Sequence, residues 1–252
     1  MATTTVSPAE TPESVNSFGR LFGVLFSPKA TFASIARRPT WLVPVLLLSI
    51  LSVAATFTLG ARVGWRAILE QQMQRNPLAQ RQMEQLKPEQ REQIIQQQLK
   101  YVPVIGYAGA AVATAITMVV IAAVFLGIFN LACGTSMRFP VSLGVVAYAW
   151  VPWAIYQLLA IVILLFKDPE TVDVQNIVAS NLAIVLPDGA ARWLVVLLSS
   201  VDLFSVWTIL LLALGYRAAD PRKLSLGKAL AVVIGTWLFV VLLRVGVAAA
   251  FS

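Results

Sequence analysis

The stretch Phe139–Phe166, FPVSLGVVAYAWVPWAIYQLLAIVILLF, runs for 28 residues without one acidic or basic side chain. A helix needs about 20 mainly apolar residues to cross a bilayer, so this stretch alone moves the chain out of the soluble class. Four more runs of the same kind surround it: Trp41 to about Ala61, Pro103 to about Cys133, Trp193–Tyr216 and about Ala229–Phe251. None alternates as a barrel strand does, and lipid gives open backbone groups no partner, so all five are expected as transmembrane helices. Aromatic residues near the run ends (Trp41, Tyr101, Phe139, Trp193 and Tyr216) suit an interfacial belt.

Composition points the same way. Of 252 residues, 58% are apolar and 12% charged, against about a quarter charged in a soluble domain. The 19 Lys and Arg exceed the 12 Asp and Glu and leave a net charge of +7. In a soluble protein that balance would suggest nucleic acid. Here the basic residues gather beside the apolar runs, where they set topology, so the expected partner is the lipid bilayer and not nucleic acid. The chain has no His, which excludes imidazole metal sites and a Ser–His–Asp arrangement. Its single Cys, Cys133, excludes an intrachain disulfide.

The polar segments have their own patterns. Residues 1–17 read as a disordered polar tail without the basic, apolar and cleavage regions of a signal peptide. Within 18–40, Phe18, Leu21, Phe22, Leu25 and Phe26 recur at helical spacing, and Ser27-Pro28 can start a second helix. Phe32, Ile35 and Ala36 continue the apolar side, with Lys29, Arg37 and Arg38 toward the polar one. This predicts amphipathic helices at the membrane interface, basic face to anionic headgroups, or a helix packed beneath the bundle; the two can coexist. The segment 62–101 is dense in Gln, and Asn76-Pro77 and Lys87-Pro88 mark helix starts within it. Two or three short amphipathic helices are expected there. They would form a cap on a five-span membrane domain that occupies 41–252.

Charge in the loops suggests an orientation. Arg20, Lys29, Arg37 and Arg38, and then Arg217, Arg222, Lys223 and Lys228, fall on one side, while Asp168, Glu170, Asp173 and Asp188 fall on the other. The positive-inside rule then puts the N-terminus in the cytoplasm and the C-terminus outside. Seven Lys and Arg of the Gln-rich segment run against that assignment.

Asp202 and Arg244 are the only ionisable residues well inside the runs. Nine residues from Trp193 and seven from Phe251 place them about 14 Å and 10 Å from one membrane face. Antiparallel neighbours could therefore pair them. Three readings follow: a neutralising pair holding two helices together, a proton or ion pathway, or an Arg244 that snorkels outward. Asn130, Gln157, Ser199, Ser205 and Thr208 offer interhelical hydrogen bonds, and Gly227, Ala231 and Gly235 a close helix approach. Pro152 should kink its span and free a carbonyl at Tyr148. No catalytic, cofactor or metal site emerges, because an intramembrane aspartyl site would want two Asp and only Asp202 is at span depth.

Several of these stretches resemble bacterial Yip-domain proteins, multispanning relatives of the Rab/Ypt-interacting family. They are Phe26-Ser27-Pro28 followed by Phe32, Ile35 and the run from Ala36 to Pro44; Val146-Ala147-Tyr148-Ala149-Trp150-Val151-Pro152, with a Tyr shortly before a mid-span Pro; and Val201 to Trp207 followed by Gly227-Lys228-Ala229. The resemblance implies five spans with a cytoplasmic N-terminus, in the bacterial inner membrane. Eukaryotic members associate with Rab-type GTPases and with one another, but their acidic Asp-Leu-Tyr-Gly signature has no counterpart here, so GTPase binding is not implied. The expected molecule is an all-α membrane bundle acting without catalysis, as an adaptor or membrane organiser through contacts with itself or other membrane proteins. The rival is a small transporter or channel built around Asp202 and Arg244.

Overall fold

The structure, a computed structural model, describes residues 16–74, 77–187 and 189–250. Among the described residues every named element is helical. Residues 1–15, most of the expected tail, lie outside them, and Asn16 already caps the first helix by accepting from the Phe18 N–H at 3.0 Å. α1 (Ser17–Phe26) ends at Ser27, and α2 (Pro28–Arg37) starts on Pro28, whose ring is tolerated at a first helical position. Pro39 keeps Arg38 out of the helical region and stops α2.

α3 (Leu42–Arg62) is the first long apolar helix. Gly64, at φ 84°, turns the chain into α4 (Trp65–Gln74), and α5 (Pro77–Glu84) follows. α6 (Pro88–Ala132) is one helix of 45 residues, about 68 Å long. The reading that began this span at Pro103 is corrected: the last of the Gln-rich helices runs straight into the membrane run. Gln, Glu, Lys and Leu are all good helix formers, and no residue between Pro88 and Pro103 stops the helix.

α7 (Phe139–Ala149) and α8 (Pro152–Phe166) make up the third run and meet at a break over Trp150–Val151. Pro152 has no N–H for the Tyr148 carbonyl, which instead accepts from Val151 at 3.2 Å. The next two bonds, from Trp153 to the Trp150 carbonyl and from Ala154 to the Val151 carbonyl, also span three residues, at 2.9 Å each. The carbonyl that the sequence suggests is freed is thus reused locally.

The fourth run is not one helix. α9 (Arg192–Ser200) and α10 (Leu203–Ala219) are separated at Val201-Asp202, and α11 (Leu226–Ala250) closes the chain. Among the described residues, four helical units, α3, α6, α7 with α8, and α11, are therefore long and apolar enough to cross a membrane, where five runs were expected.

α3 packs along α6 and α8, α10 runs beside α7 and α2, and α11 lies against α9 and α10. At the centre, Ser142–Ala149 of α7 are all buried, as a helix apolar all round should be. Arg62, expected as a loop charge, donates from Nε to the Leu164 carbonyl at 3.1 Å and so joins the ends of α3 and α8. Arg66 bridges Glu70 and holds both carboxylate oxygens of Glu92, at 3.0 and 2.7 Å, tying α4 to α6. Arg91 donates to the Met83 carbonyl at 2.9 Å, so three of the seven basic residues that ran against the orientation rule are engaged in local structure.

Small residues split into two groups. A Cβ on Gly215 would stand 2.5 Å from Val145 Cγ1 and 3.0 Å from Phe32 Cδ1, so α10, α7 and α2 meet there only because that atom is missing. At Gly227 and Gly235 a Cβ would meet nothing within 4 Å, and Ala231 is exposed. The stripe expected to admit a neighbouring helix faces away from this bundle. Gly215→Ala should therefore overpack the junction and cost about 1–3 kcal/mol. The same change at Gly127, where a Cβ also has open space, should be neutral or stabilise by up to ~1 kcal/mol. Thermal unfolding of both variants in detergent measures the difference.

Candidate functional site

Asp202 is not inside a helix. It is extended, at φ −120° and ψ 144°, and caps α10 by accepting from the Phe204 and Ser205 N–H groups at 2.8 and 3.1 Å. A carboxylate is favoured at a helix N-terminus by the free N–H groups and the dipole there, which is the physical reason the fourth run breaks here. Its other oxygen accepts from the Ser180 hydroxyl. The backbone left open by the break pairs with the same segment, Leu182 N–H to the Val201 carbonyl at 3.2 Å and Leu203 N–H to the Ser180 carbonyl at 3.0 Å. Asn181 and Asp202 thus form one antiparallel bridge. Phe204 locks the break against α8, edge-on to Tyr156 at 5.5 Å and beside Trp153 at 6.0 Å. Asp202, 6% exposed, stands one α10 length, about 26 Å, from Ala219.

The second polar centre lies at the other end of α10. Arg20 is only 4% exposed. Its Nη1 donates to the Arg38 carbonyl at 2.9 Å and to Thr40 Oγ1 at 2.7 Å, and its Nη2 to the Ser34 carbonyl and hydroxyl at 3.2 and 2.8 Å. These carbonyls end α2, where the helix dipole is negative. Tyr148 donates to the Ser17 carbonyl at 3.2 Å, so the 3.1 Å bond between Thr40 and Tyr148 takes its proton from Thr40. The chain Arg20 to Thr40 to Tyr148 to Ser17 runs in one direction through α1, the start of α3 and α7. A parallel chain is wholly buried: Ser142 donates to the Ala122 carbonyl, so Tyr216 donates to Ser142, each at 2.7 Å. Tyr216 also stacks on Phe129 with ring centres 4.4 Å apart. Expected as a belt aromatic, it is a core residue.

The ion pair between Asp202 and Arg244 is not made. Among the described residues the carboxylates of the two ion pairs are Glu70 and Glu92, both with Arg66. Asp202 is satisfied by its own cap and Ser180, while Arg244 is exposed on α11. Lys29, Arg37 and Arg38 are exposed, as the polar side of α2 requires. Asn130 organises the loop after α6, accepting from Thr135 Oγ1 and the Met137 N–H and donating to the Met137 carbonyl. Ser199 bonds its own helix at Val196, and Thr208 Oγ1 is buried without a partner. Of the polar stripe of the fourth run, Ser199 thus serves its own helix and Asp202 holds the break, while Thr208 bonds no neighbouring helix. Arg20, Thr40, Ser142 and Ser180 were not visible as site residues. For Arg20 a signal exists: it lies opposite Phe18, Phe22 and Phe26 on a helical projection.

The Yip1 domain model matches residues 22–248. The chain belongs to the Yip1 family. Neither a curated protein nor a solved structure matches it. It is thus a multi-pass membrane protein of the Yip1 type, and the Tyr–Pro stretch of this Yip1 chain acquires a physical meaning. Tyr148 ties the N-terminal helices to the bundle, and Pro152 ends the buried helix that carries it.

Two outcomes follow for stability in detergent. Tyr148→Phe should cost about 1 kcal/mol, and Arg20→Met more, about 1.5–3 kcal/mol, since it removes bonds from a charged donor. Thermal melts followed by Trp fluorescence read both. Asp202→Asn keeps a capping oxygen and should be mild, whereas Asp202→Ala should cost about 0.5–2 kcal/mol. With Asp202→Ala, amide exchange should rise over 178–186 and leave α3 unchanged.

Proposed function

We propose that this Yip1-family protein acts without catalysis, as an adaptor or membrane organiser, through contacts of its lipid-facing helices with a second copy or another membrane protein. The observation that carries this reading is the outward stripe of α11. Gly227, Ala231 and Gly235 sit at four-residue spacing, with open space where each glycine's Cβ would be. Close backbone approach between helices in lipid uses such residues.

The N-terminal helices supply a second contact, with the membrane surface. α1 is inverted relative to a helix in water: its one cation is buried, while Phe18, Phe22 and Phe26 are 64%, 67% and 82% exposed. With Lys29, Arg37 and Arg38 exposed on and beside α2, this favours α1 seated among acyl chains and α2 presenting its charges to anionic headgroups. In this reading α9 and α10 together form the fifth crossing, the N-terminus is cytoplasmic, the C-terminus is outside, and the membrane is the bacterial inner membrane. The broken fourth run also favours the transporter reading, since transporters build sites on discontinuous helices. Against it, the Asp202 carboxylate is already engaged by the Phe204 and Ser205 N–H groups and the Ser180 hydroxyl.

Crosslinking in native membranes followed by mass spectrometry tests the proposal. Reproducible crosslinks from α11 to a second copy or to another membrane protein are expected, and Ala231→Leu should weaken them. Recovery of no reproducible partner, not even the chain itself, would overturn the adaptor reading.

A further inference from the structure

The segment that completes the break at Asp202 has a composition of its own. From Val174 to Pro187 the chain reads VQNIVASNLAIVLP, without one acidic or basic side chain, between Asp168, Glu170 and Asp173 on one side and Asp188 on the other. Within it, the 3₁₀ turn Leu182–Val185 holds Leu182, Ile184 and Val185 outward, 49%, 59% and 73% exposed. The turn packs along α9, whose Trp193 and Val195 are exposed as well. A contiguous apolar patch of this kind marks a surface that meets something other than water.

Its depth follows from α10. Arg217, on the last turn of α10, is exposed, and hydrocarbon does not solvate a guanidinium, so Arg217 stands at or beyond the near edge of the layer. Asp202 lies fifteen residues away, about 22 Å along the helix axis. A hydrocarbon layer of about 30 Å continues about 8 Å past it, and any tilt of α10 puts Asp202 deeper still. Ser180 and Leu182 share that depth. The Ser180 carbonyl accepts from the Leu203 N–H, and the Leu182 N–H donates to the Val201 carbonyl.

Irregular backbone survives at such a depth only where the protein satisfies its polar groups. The segment does so within itself and against the break. Asn181 Oδ1 accepts from the Ala183 N–H at 3.0 Å, and its amide donates to Asn176 Oδ1 at 2.9 Å. The Ser180 N–H donates to the Val178 carbonyl at 2.8 Å, its hydroxyl donates to Asp202, and the Leu186 N–H closes the turn on the Ala183 carbonyl at 3.1 Å. On the inner side Val178 packs with Ala160 and Phe204. These polar groups are turned to the protein while the large apolar side chains face out, the reverse of a loop built for water.

We propose that residues 177–186 form a re-entrant loop in the leaflet opposite the basic turn Arg222-Lys223. Acyl chains cover Leu182, Ile184 and Val185, and the acidic residues before and after the loop stay among the headgroups. The loop rests on α9 and α10 forming the fifth crossing. It adds a lipid contact on a surface distinct from those of α1 and α11.

Spin labels measure the depth. In the full chain carrying Cys133→Ser, single cysteines are introduced as Ile184→Cys, Val185→Cys, Glu170→Cys and Leu210→Cys, the last on the exposed side of α10. Each variant is labelled with a nitroxide and reconstituted in vesicles of phosphatidylcholine and phosphatidylglycerol. Collision with oxygen, which concentrates in the acyl layer, is compared with collision with a water-soluble nickel chelate. Labels at Ile184 and Val185 should favour oxygen, as at Leu210, and the label at Glu170 should favour the chelate. Either loop position suffices if the other variant fails to fold. If the loop labels favour the chelate while Leu210 favours oxygen, the re-entrant loop is overturned and the fifth crossing stands. A Leu210 label that favours the chelate overturns the crossing and the loop with it. Loop labels shielded from both reagents would show that a second copy or another protein covers the patch, which also overturns the proposal.

Discussion

Taking a guanidinium out of water is costly unless acceptors surround it. At Arg20 no carboxylate does so. Two carbonyls at the end of α2 and the hydroxyls of Ser34 and Thr40 engage its two terminal nitrogens, and Nε is buried without a partner. Pro39 ends α2, and this demand fixes how the chain reverses over Arg38-Pro39-Thr40, since Arg38 and Thr40 both point an oxygen at the same group. It also sets the start of α3, because Thr40 must reach Tyr148 as well. α1, α2, α3 and α7 are thus positioned by one cation, and Phe32 and Ile35 can fill the space beside Gly215 and Gly144 because α2 is held at that height.

Two apolar runs are interrupted, and they resolve the same difficulty differently. Backbone groups freed in lipid must find partners within the protein. At Pro152 the helix tightens for one turn and satisfies itself, so α7 and α8 remain one 28-residue unit. At Asp202 the backbone departs from the helix altogether, and a segment twenty residues upstream returns to complete it. The first break is a property of one residue. The second belongs to two segments and exists only when both are in place.

The legible part of this fold was carried by run length, and the illegible part by local competition at run ends. Long apolar runs identified α3, α6, α7–α8 and α11, because hydrocarbon thickness leaves few alternatives. The Tyr–Pro stretch and the family were equally readable. Hydropathy could not show that Asp202 would prefer a helix N-terminus to a helix interior, since a window average treats both alike. Nor could it distinguish Arg20 from Lys29: both are cations in amphipathic helices, and only the acceptors brought by Ser34, Arg38 and Thr40 make one a core residue. Tyr216 was misread for the same reason, its position near a run end concealing a partner, Ser142, on another helix. Pro103 suggested a boundary that the surrounding helix formers outweighed.

The continuity of α6 has a mechanical consequence. A helix of this length is more than twice as long as a hydrocarbon layer of about 30 Å is thick, and it transmits a twist or tilt from end to end as a shaft does. One end carries Glu92, gripped by Arg66; the other carries Phe129, stacked on Tyr216. Displacing the Gln-rich helices at one end therefore loads the aromatic core at the other without any intervening loop to absorb it. The single compliant point in the shaft is Pro103, where one backbone bond is missing.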